Sequence, residues 1–140
     1  MAYKTINEQF WTDPKIQQLK PNTRYLLLYF ITNPHAHYCG LYYIPIALIS
    51  VESGLEKKII ESSIELLQKI NIILYDDNHS VVWIKNMLKY QNSHGGNPAR
   101  IRQGIESHIK TIHAHELIKL FIEKYQGLKI TLPQGYGKVK

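Results

Sequence analysis

The sequence predicts an α+β fold, in which helices pack with a small antiparallel sheet. Three observations predict it. Apolar residues recur at spacings of three and four along several stretches, the pattern of amphipathic helices. Two β-prone runs, Ile72-Ile73-Leu74-Tyr75 and Val81-Val82-Trp83-Ile84, flank Asp76-Asp77-Asn78-His79-Ser80, which is turn chemistry throughout. A third short run, Leu41-Tyr42-Tyr43-Ile44, supplies the further strand that a marginal two-stranded hairpin needs. With 140 residues, 44% hydrophobic and 20% charged, the chain is neither disordered nor collagen-like, and one domain of this size can bury a core without disulfides. Its single cysteine excludes a disulfide framework and a multi-cysteine zinc site.

Each element follows from local chemistry. Asp13-Pro14 starts a short helix, with Asp as N-cap and Pro at the first helical position, and Lys20-Pro21 ends it near Leu19. The next helix runs from about Asn22 to Thr32, its residues 25–31 apolar on all sides as in a central buried helix, and Asn33-Pro34 stops it. Residues 35–40 form a loop before the strand at 41–44. Pro45 opens a helix to about Glu52, which Ser53-Gly54 breaks. Leu55, Ile59, Ser63, Leu66 and Ile70, with Ile60, Ile64 and Leu67 beside them, mark an amphipathic helix of about four turns. The hairpin comes next, with a five-residue connection. Residues 86–90 make a turn or two of helix, and residues 91–98 have the composition of a linker. Ile101, Ile105, Ile109 and Ile112 place a helix over 98–112, and Leu117, Ile118, Phe121, Ile122 and Tyr125 place another over about 114–125.

Two helices joined by a short glycine turn and continued at once by a hairpin make a winged helix-turn-helix with a three-stranded antiparallel sheet and a C-terminal helical extension. The expected organisation is a winged-helix domain at 1–91, a linker at 92–97, the extension at 98–126 and a loose tail at 127–140. No signal peptide is visible, and the longest apolar helical piece, residues 25–31, falls far short of the ~20 residues that span a bilayer. A cytoplasmic protein without membrane contact is expected.

Charge is unevenly spread. Residues 1–84 hold seven basic and eight acidic groups, whereas residues 85–140 hold ten basic and three acidic. Such asymmetry points to a polyanionic partner. Lys85, Lys89, Arg100, Arg102 and Lys110 fall within a stretch containing one acid, Glu106, and are the candidate phosphate track. Tyr90 and His94 are candidates to stack on bases, with burial of Tyr90 in the core as the alternative. At the start of the second helix of the helix-turn-helix, Lys57, Lys58 and Ser62 are the candidate DNA-binding residues. Glu56, Glu61 and Glu65 share that face, and three carboxylates facing phosphates are costly, so a solvated or protein-contacting face is favoured there. Asp76 and Asp77 place the same repulsion at the hairpin tip.

Catalytic and metal signatures are absent from the sequence pattern. Gly135-Tyr136-Gly137-Lys138 lacks the spacing and the following Ser or Thr of a phosphate loop, and His115-Glu116-Leu117-Ile118-Lys119 has Lys where a metalloprotease helix needs its second His. His35-x-His37-x-Cys39 and His113-x-His115 offer possible ligands, but zinc sites use a larger set at more open spacing, so no metal and no cofactor are expected. Cys39 carries no sign of activation and reads as a buried residue.

Several motifs together resemble a known family. They are Phe10-Trp11-Thr12-Asp13-Pro14-Lys15-Ile16, an apolar helix ending Thr32-Asn33-Pro34, Gly40-Leu41-Tyr42-Tyr43-Ile44-Pro45, Glu52-Ser53-Gly54-Leu55, Trp83-Ile84-Lys85-Asn86 and Lys89-Tyr90-Gln91. In this order they resemble the N-terminal winged-helix domain of phage replisome organisers, which are related to the DnaD primosomal proteins. The Asn97-Pro98 helix and the Leu117-Ile118…Phe121…Tyr125 helix resemble the segment C-terminal to that domain in phage members, so the likeness spans about residues 3–126. Glu56 stands where the family usually has a Ser or Thr cap. The resemblance implies a non-catalytic protein of phage or prophage replication initiation that binds single- or double-stranded DNA, self-associates as a homo-oligomer and helps recruit helicase-loading proteins. Two alternatives share the fold: a primosome-assembly scaffold with little direct DNA contact, and a winged-helix transcriptional repressor.

Overall fold

The computed structural model describes residues 3–92 and 96–132. Over these residues the chain is α+β, with seven α-helices and one three-stranded antiparallel sheet. Helix α1 (Pro14–Gln17) is capped by the Asp13 carboxylate, which accepts from the Lys15 N–H at 2.9 Å. Helix α2 (Pro21–Thr32) begins with Pro21 at its first position and buries Leu26, Leu27 and Phe30. Strand β1 (Leu41–Tyr43) leads to α3 (Ile46–Ser53), which ends at Gly54 in the left-handed conformation, φ +79°. That conformation needs no Cβ and lets the chain reverse directly into α4 (Lys57–Lys69). Glu56 occupies the α4 N-cap and makes no side-chain cap hydrogen bond.

Strands β2 (Ile73–Asp76) and β3 (Val81–Ile84) form the hairpin, and the strand order is β1-β3-β2. Leu41 pairs with Trp83 and Tyr43 with Val81 on one side of β3, and Ile73 pairs with Ile84 and Asp76 with Val81 on the other. The connection holds four residues instead of five, because Asp76 joins the ladder.

Alternation along the strands sorts their side chains onto two faces. Tyr42, Val82, Ile84, Ile73 and Tyr75 turn to a core shared with α2, α3 and α4. Leu41, Val81 and Trp83 turn to a second core built with Ile105, Ile109, Leu117, Ile118 and Phe121. Both faces of β3 are therefore covered, which is why Val81-Val82-Trp83-Ile84 reads as an unbroken apolar run.

Helix α5 (Met87–Gln91) comes after the sheet; α6 (Pro98–Ile109) and α7 (His115–Lys124) supply the second core. The expected extension is thus a packed layer on the sheet. Helix α6 stops three residues before its expected end, because Thr111 and Ile112 donate to the carbonyls three residues back, and Ile112 remains buried. The expected loose tail is corrected over 127–132: Ile130 is buried, and the Thr131 N–H donates to Glu106 Oε2 at 2.8 Å. The rest of that tail, with Gly135-Tyr136-Gly137-Lys138, and the linker centre at 93–95, with His94, lie outside the described residues.

Most buried polar groups are matched, but the Trp83 indole N–H finds no hydrogen-bond partner among the described residues. Asn33 donates to the Tyr29 carbonyl and the Tyr42 hydroxyl, and its Oδ1 accepts from the His35 N–H. The Tyr42 hydroxyl donates to the Phe30 carbonyl at 2.6 Å, and Thr23 donates to Ser63 at 3.1 Å between α2 and α4. No helix among the described residues is long and apolar enough to cross a membrane.

Candidate nucleic-acid interface

The two basic segments expected to meet DNA occupy different elements. On α4, Lys57, Lys58 and Ser62 are exposed, as are Glu61 and Glu65 on the same helix. The Ser62 hydroxyl donates to the Ile59 carbonyl of its own helix at 3.1 Å. Ser62 and Glu65 line an open groove of about 690 Å³ between α4 and the start of α2, with Lys20 and Lys69 on its walls. The outer face of α4 is therefore of mixed charge. At the hairpin tip, Asp76 accepts from the His79 N–H at 3.0 Å and meets His79 Nδ1 at 2.8 Å, so these two side chains satisfy one another.

The basic C-terminal part is gathered by packing. Tyr125, directly after α7, donates its hydroxyl proton to the Lys85 carbonyl at 2.6 Å. Burial pushes that phenol up to about 12, against a hydrogen bond from the Lys89 backbone. The Tyr125 anchor ties the end of α7 to the segment that leaves β3. Lys124 comes with it, its Nζ 5.8 Å from the Tyr125 ring centroid. Lys85 lies 5.9 Å over the Trp83 ring and hydrogen-bonds Asn71 Oδ1. Its ammonium is held below the ordinary lysine value, first by partial burial and then by the like charge of Lys124. Lys85 and Lys124 thus gather beside Tyr125, whose phenol the Lys89 backbone also meets, and Lys89 and Lys124 are exposed. Sequence reasoning missed Lys124, and it counted Tyr125 only as an apolar position.

The remaining candidates do not fall on one line. At roughly 100° per residue, Arg100 and Lys110 flank the outer face of α6, whereas Arg102 lies toward the edge of the buried stripe of Ile105 and Ile109. Arg100 and Lys110 are exposed and Arg102 is half-buried. Tyr90 is 41% exposed and so is not a fully buried core residue. It lines an apolar groove of about 510 Å³ beneath the N-terminal arm, together with Ile6, Phe10 and Met87. Gln91 clips that arm in place by donating to the Thr5 carbonyl at 2.8 Å and accepting from the Thr5 N–H at 2.9 Å.

A second cluster lies at the junction of α6 with the loop before β1. The rings of His37 and His108 stack with centroids 3.9 Å apart and planes within 7°. His108 Nε2 donates to the Leu41 carbonyl at 2.6 Å, and the Cys39 thiol donates to the same oxygen at 3.6 Å. His37 Nδ1 accepts from the Cys39 N–H at 3.2 Å. Burial, the neighbouring His108 and Lys4 lower His37 to about 3, and burial also lowers His108. Burial pushes the Cys39 thiol up to about 12. His35, from the same sequence triplet, turns away and pairs with Glu52 at 2.8 Å.

Comparison with protein-family models, with curated proteins and with solved structures finds no match.

Proposed function

We propose that this chain is a winged-helix protein of phage or prophage replication initiation, which binds the nucleic-acid backbone without catalysis. The meeting of Lys85 and Lys124 beside the Tyr125 anchor, against which the exposed Lys89 also lays its backbone, carries the proposal, because it turns a basic sequence bias into one local patch. The order α2-β1-α3-α4-β2-β3 and the glycine turn between α3 and α4 support the winged-helix assignment. The motif resemblance over residues 3–126 supports the replication role. Phosphate contacts of this kind position a backbone and carry little sequence information, so binding is salt-sensitive and weakly selective. Arg100 on α6 and Lys110, directly after its end, extend the contact. Lys57 and Lys58 are secondary, since Glu61 and Glu65 interrupt their face.

Fluorescence anisotropy with labelled single- and double-stranded DNA across a salt series tests the proposal. Three phosphate contacts contribute a log–log slope of roughly −2.1 on single strands and −2.7 on duplex. Replacing Lys85, Lys89 and Lys124 by Gln is expected to remove about that much slope. No binding at low salt, or a slope indifferent to the triple substitution, would overturn the proposal.

Protein contact is the second reading, favoured by the apolar groups left in solvent near α3. Tyr43 is 61% and Val51 80% exposed. Self-association through this region fits a scaffold or a homo-oligomeric initiator that engages helicase-loading proteins. Sedimentation over a concentration series decides it, and a strict monomer sinks it.

A further inference from the structure

We propose that His37, Cys39 and His108 bind one zinc-type transition-metal ion, which staples α6 to the loop preceding β1. One ring nitrogen from each histidine and the Cys39 sulfur lie within 4.8 Å of one another. Two imidazoles and one thiolate are a donor set suited to a borderline-soft cation, and zinc sites are built from these ligands.

Three features set the site apart from incidental ring packing. The first is convergence. Both His108 Nε2–H and the Cys39 thiol point at the Leu41 carbonyl oxygen. A cation placed there replaces two protons aimed at one acceptor, and that oxygen or a water completes a tetrahedral set. The second is the lone pair on His37 Nδ1, which is turned to the Cys39 backbone and held only by a 3.2 Å bond. The third is access. Cys39 is fully buried, while both histidines are half-buried, so an ion enters past the imidazoles and meets the sulfur on the inner side. On binding, the metal–sulfur bond replaces the S–H bond and that proton leaves to solvent. His108 ligates through Nε2 by moving its proton to Nδ1, and the stacked rings splay so that their in-plane lone pairs meet the ion.

The ligands come from two places in the chain. His37 and Cys39 belong to the loop that enters β1, and His108 to the last turn of α6. A bound ion therefore crosslinks the helical layer to the sheet edge, and the stability of that layer becomes metal-dependent.

Titration of the reduced, chelator-treated full chain with Co²⁺ and then Zn²⁺ tests the site. Wild type is expected to bind one Co²⁺ with visible bands of tetrahedral type and a near-ultraviolet thiolate-to-cobalt charge-transfer band. Zn²⁺ is expected to displace the Co²⁺ and raise the melting temperature. Cys39→Ser is expected to abolish the charge-transfer band, and His108→Asn to weaken Zn²⁺ by more than about 100-fold, beyond the loss of a merely supporting hydrogen bond. A double His113→Ala, His115→Ala variant is expected to bind as wild type does. Should Cys39→Ser fail to fold, His37→Ala is expected, like His108→Asn, to weaken Zn²⁺ by more than about 100-fold. Absence of binding, a complex without the charge-transfer band, or Zn²⁺ affinity unchanged by these ligand substitutions would each overturn the proposal.

Discussion

Phe121→Ala is the sharpest test of whether the C-terminal helices and the sheet fold as one cooperative unit. Phe121 is fully buried on α7, 6.2 Å from the Trp83 ring in an edge-on arrangement and 5.2 Å from the Tyr125 ring. Removing it leaves a cavity in the second core, and buried Phe-to-Ala changes cost about 3–5 kcal/mol. For a chain of this size such a loss lowers the melting temperature by roughly 10–20 °C if the loss is shared by the whole unit. Trp83 is a built-in reporter, being buried in the sheet with its ring in that core, whereas Trp11 is 59% exposed. Urea unfolding would be tracked by Trp83 emission and by far-ultraviolet circular dichroism. Both transitions are expected to shift together to lower urea. A main transition that keeps its wild-type midpoint, with α7 lost in a separate early step, would refute the one-unit argument.

Two further predictions concern the same junction. Gly40 has φ +85°, and a Cβ placed there would lie 2.6 Å from the Ile84 carbonyl oxygen and 2.8 Å from Met87 Cβ. Gly40→Ala is expected to cost at least about 2 kcal/mol in urea unfolding, and a wild-type midpoint would contradict the strain argument. His37 and His108 are both held below the ordinary histidine value, so below about pH 6.5 the unfolded chain takes up protons first. Their stabilising contribution is complete above that pH and is lost as pH falls toward the folded value, about 3 for His37. Between pH 7.5 and 5, in EDTA, His37 is expected to account for about 1 kcal/mol after allowance for its partial exposure, and His37→Asn to remove that share of the pH dependence. An equal acid loss in the variant would show that the charge lies elsewhere.

Local chemistry made most elements legible. Asp13-Pro14, Asn33-Pro34, Ser53-Gly54 and Asn97-Pro98 mark ends that caps and glycines enforce, and the structure keeps to them within a few residues. The three strands were legible from β-prone runs around turn residues. That a third strand joins the hairpin was within reach, but its pairing on β3 was not, because a hairpin offers two edges. The features that escaped the sequence depend on contacts between distant residues. The unbroken run Val81-Val82-Trp83-Ile84 hinted that both faces of β3 are covered, but only tertiary packing shows that α6 and α7 cover the second. Ile130 looked like part of a polar, glycine-containing tail, yet it joins that same core. His108 meets Leu41 across 67 residues and Tyr125 meets Lys85 across 40, and no spacing rule reports either encounter. Local ligand counting weighed His35 with His37 and Cys39, whereas the fold removes His35 to Glu52 and brings in His108.

The two proposed sites share one packed layer but draw on different helices of it, and that makes them separable by experiment. Docking of α7 brings Lys124 and Tyr125 to Lys85, and docking of α6 brings His108 to Cys39. Neutralising Lys85, Lys89 and Lys124 should therefore lower the salt slope of DNA binding and leave the Co²⁺ spectrum intact. Cys39→Ser should do the reverse. Phe121→Ala, assayed where it remains folded, loosens the layer that both sites share and should weaken each. If DNA binding keeps its slope while Phe121→Ala undocks α7, Lys124 is not among the phosphate contacts, and the track must run through Lys85, Lys89 and the segment directly after the sheet. If the cobalt charge-transfer band also survives that loosening, α6 holds its place on β1 without α7, and the second core is two independent contacts instead of one layer.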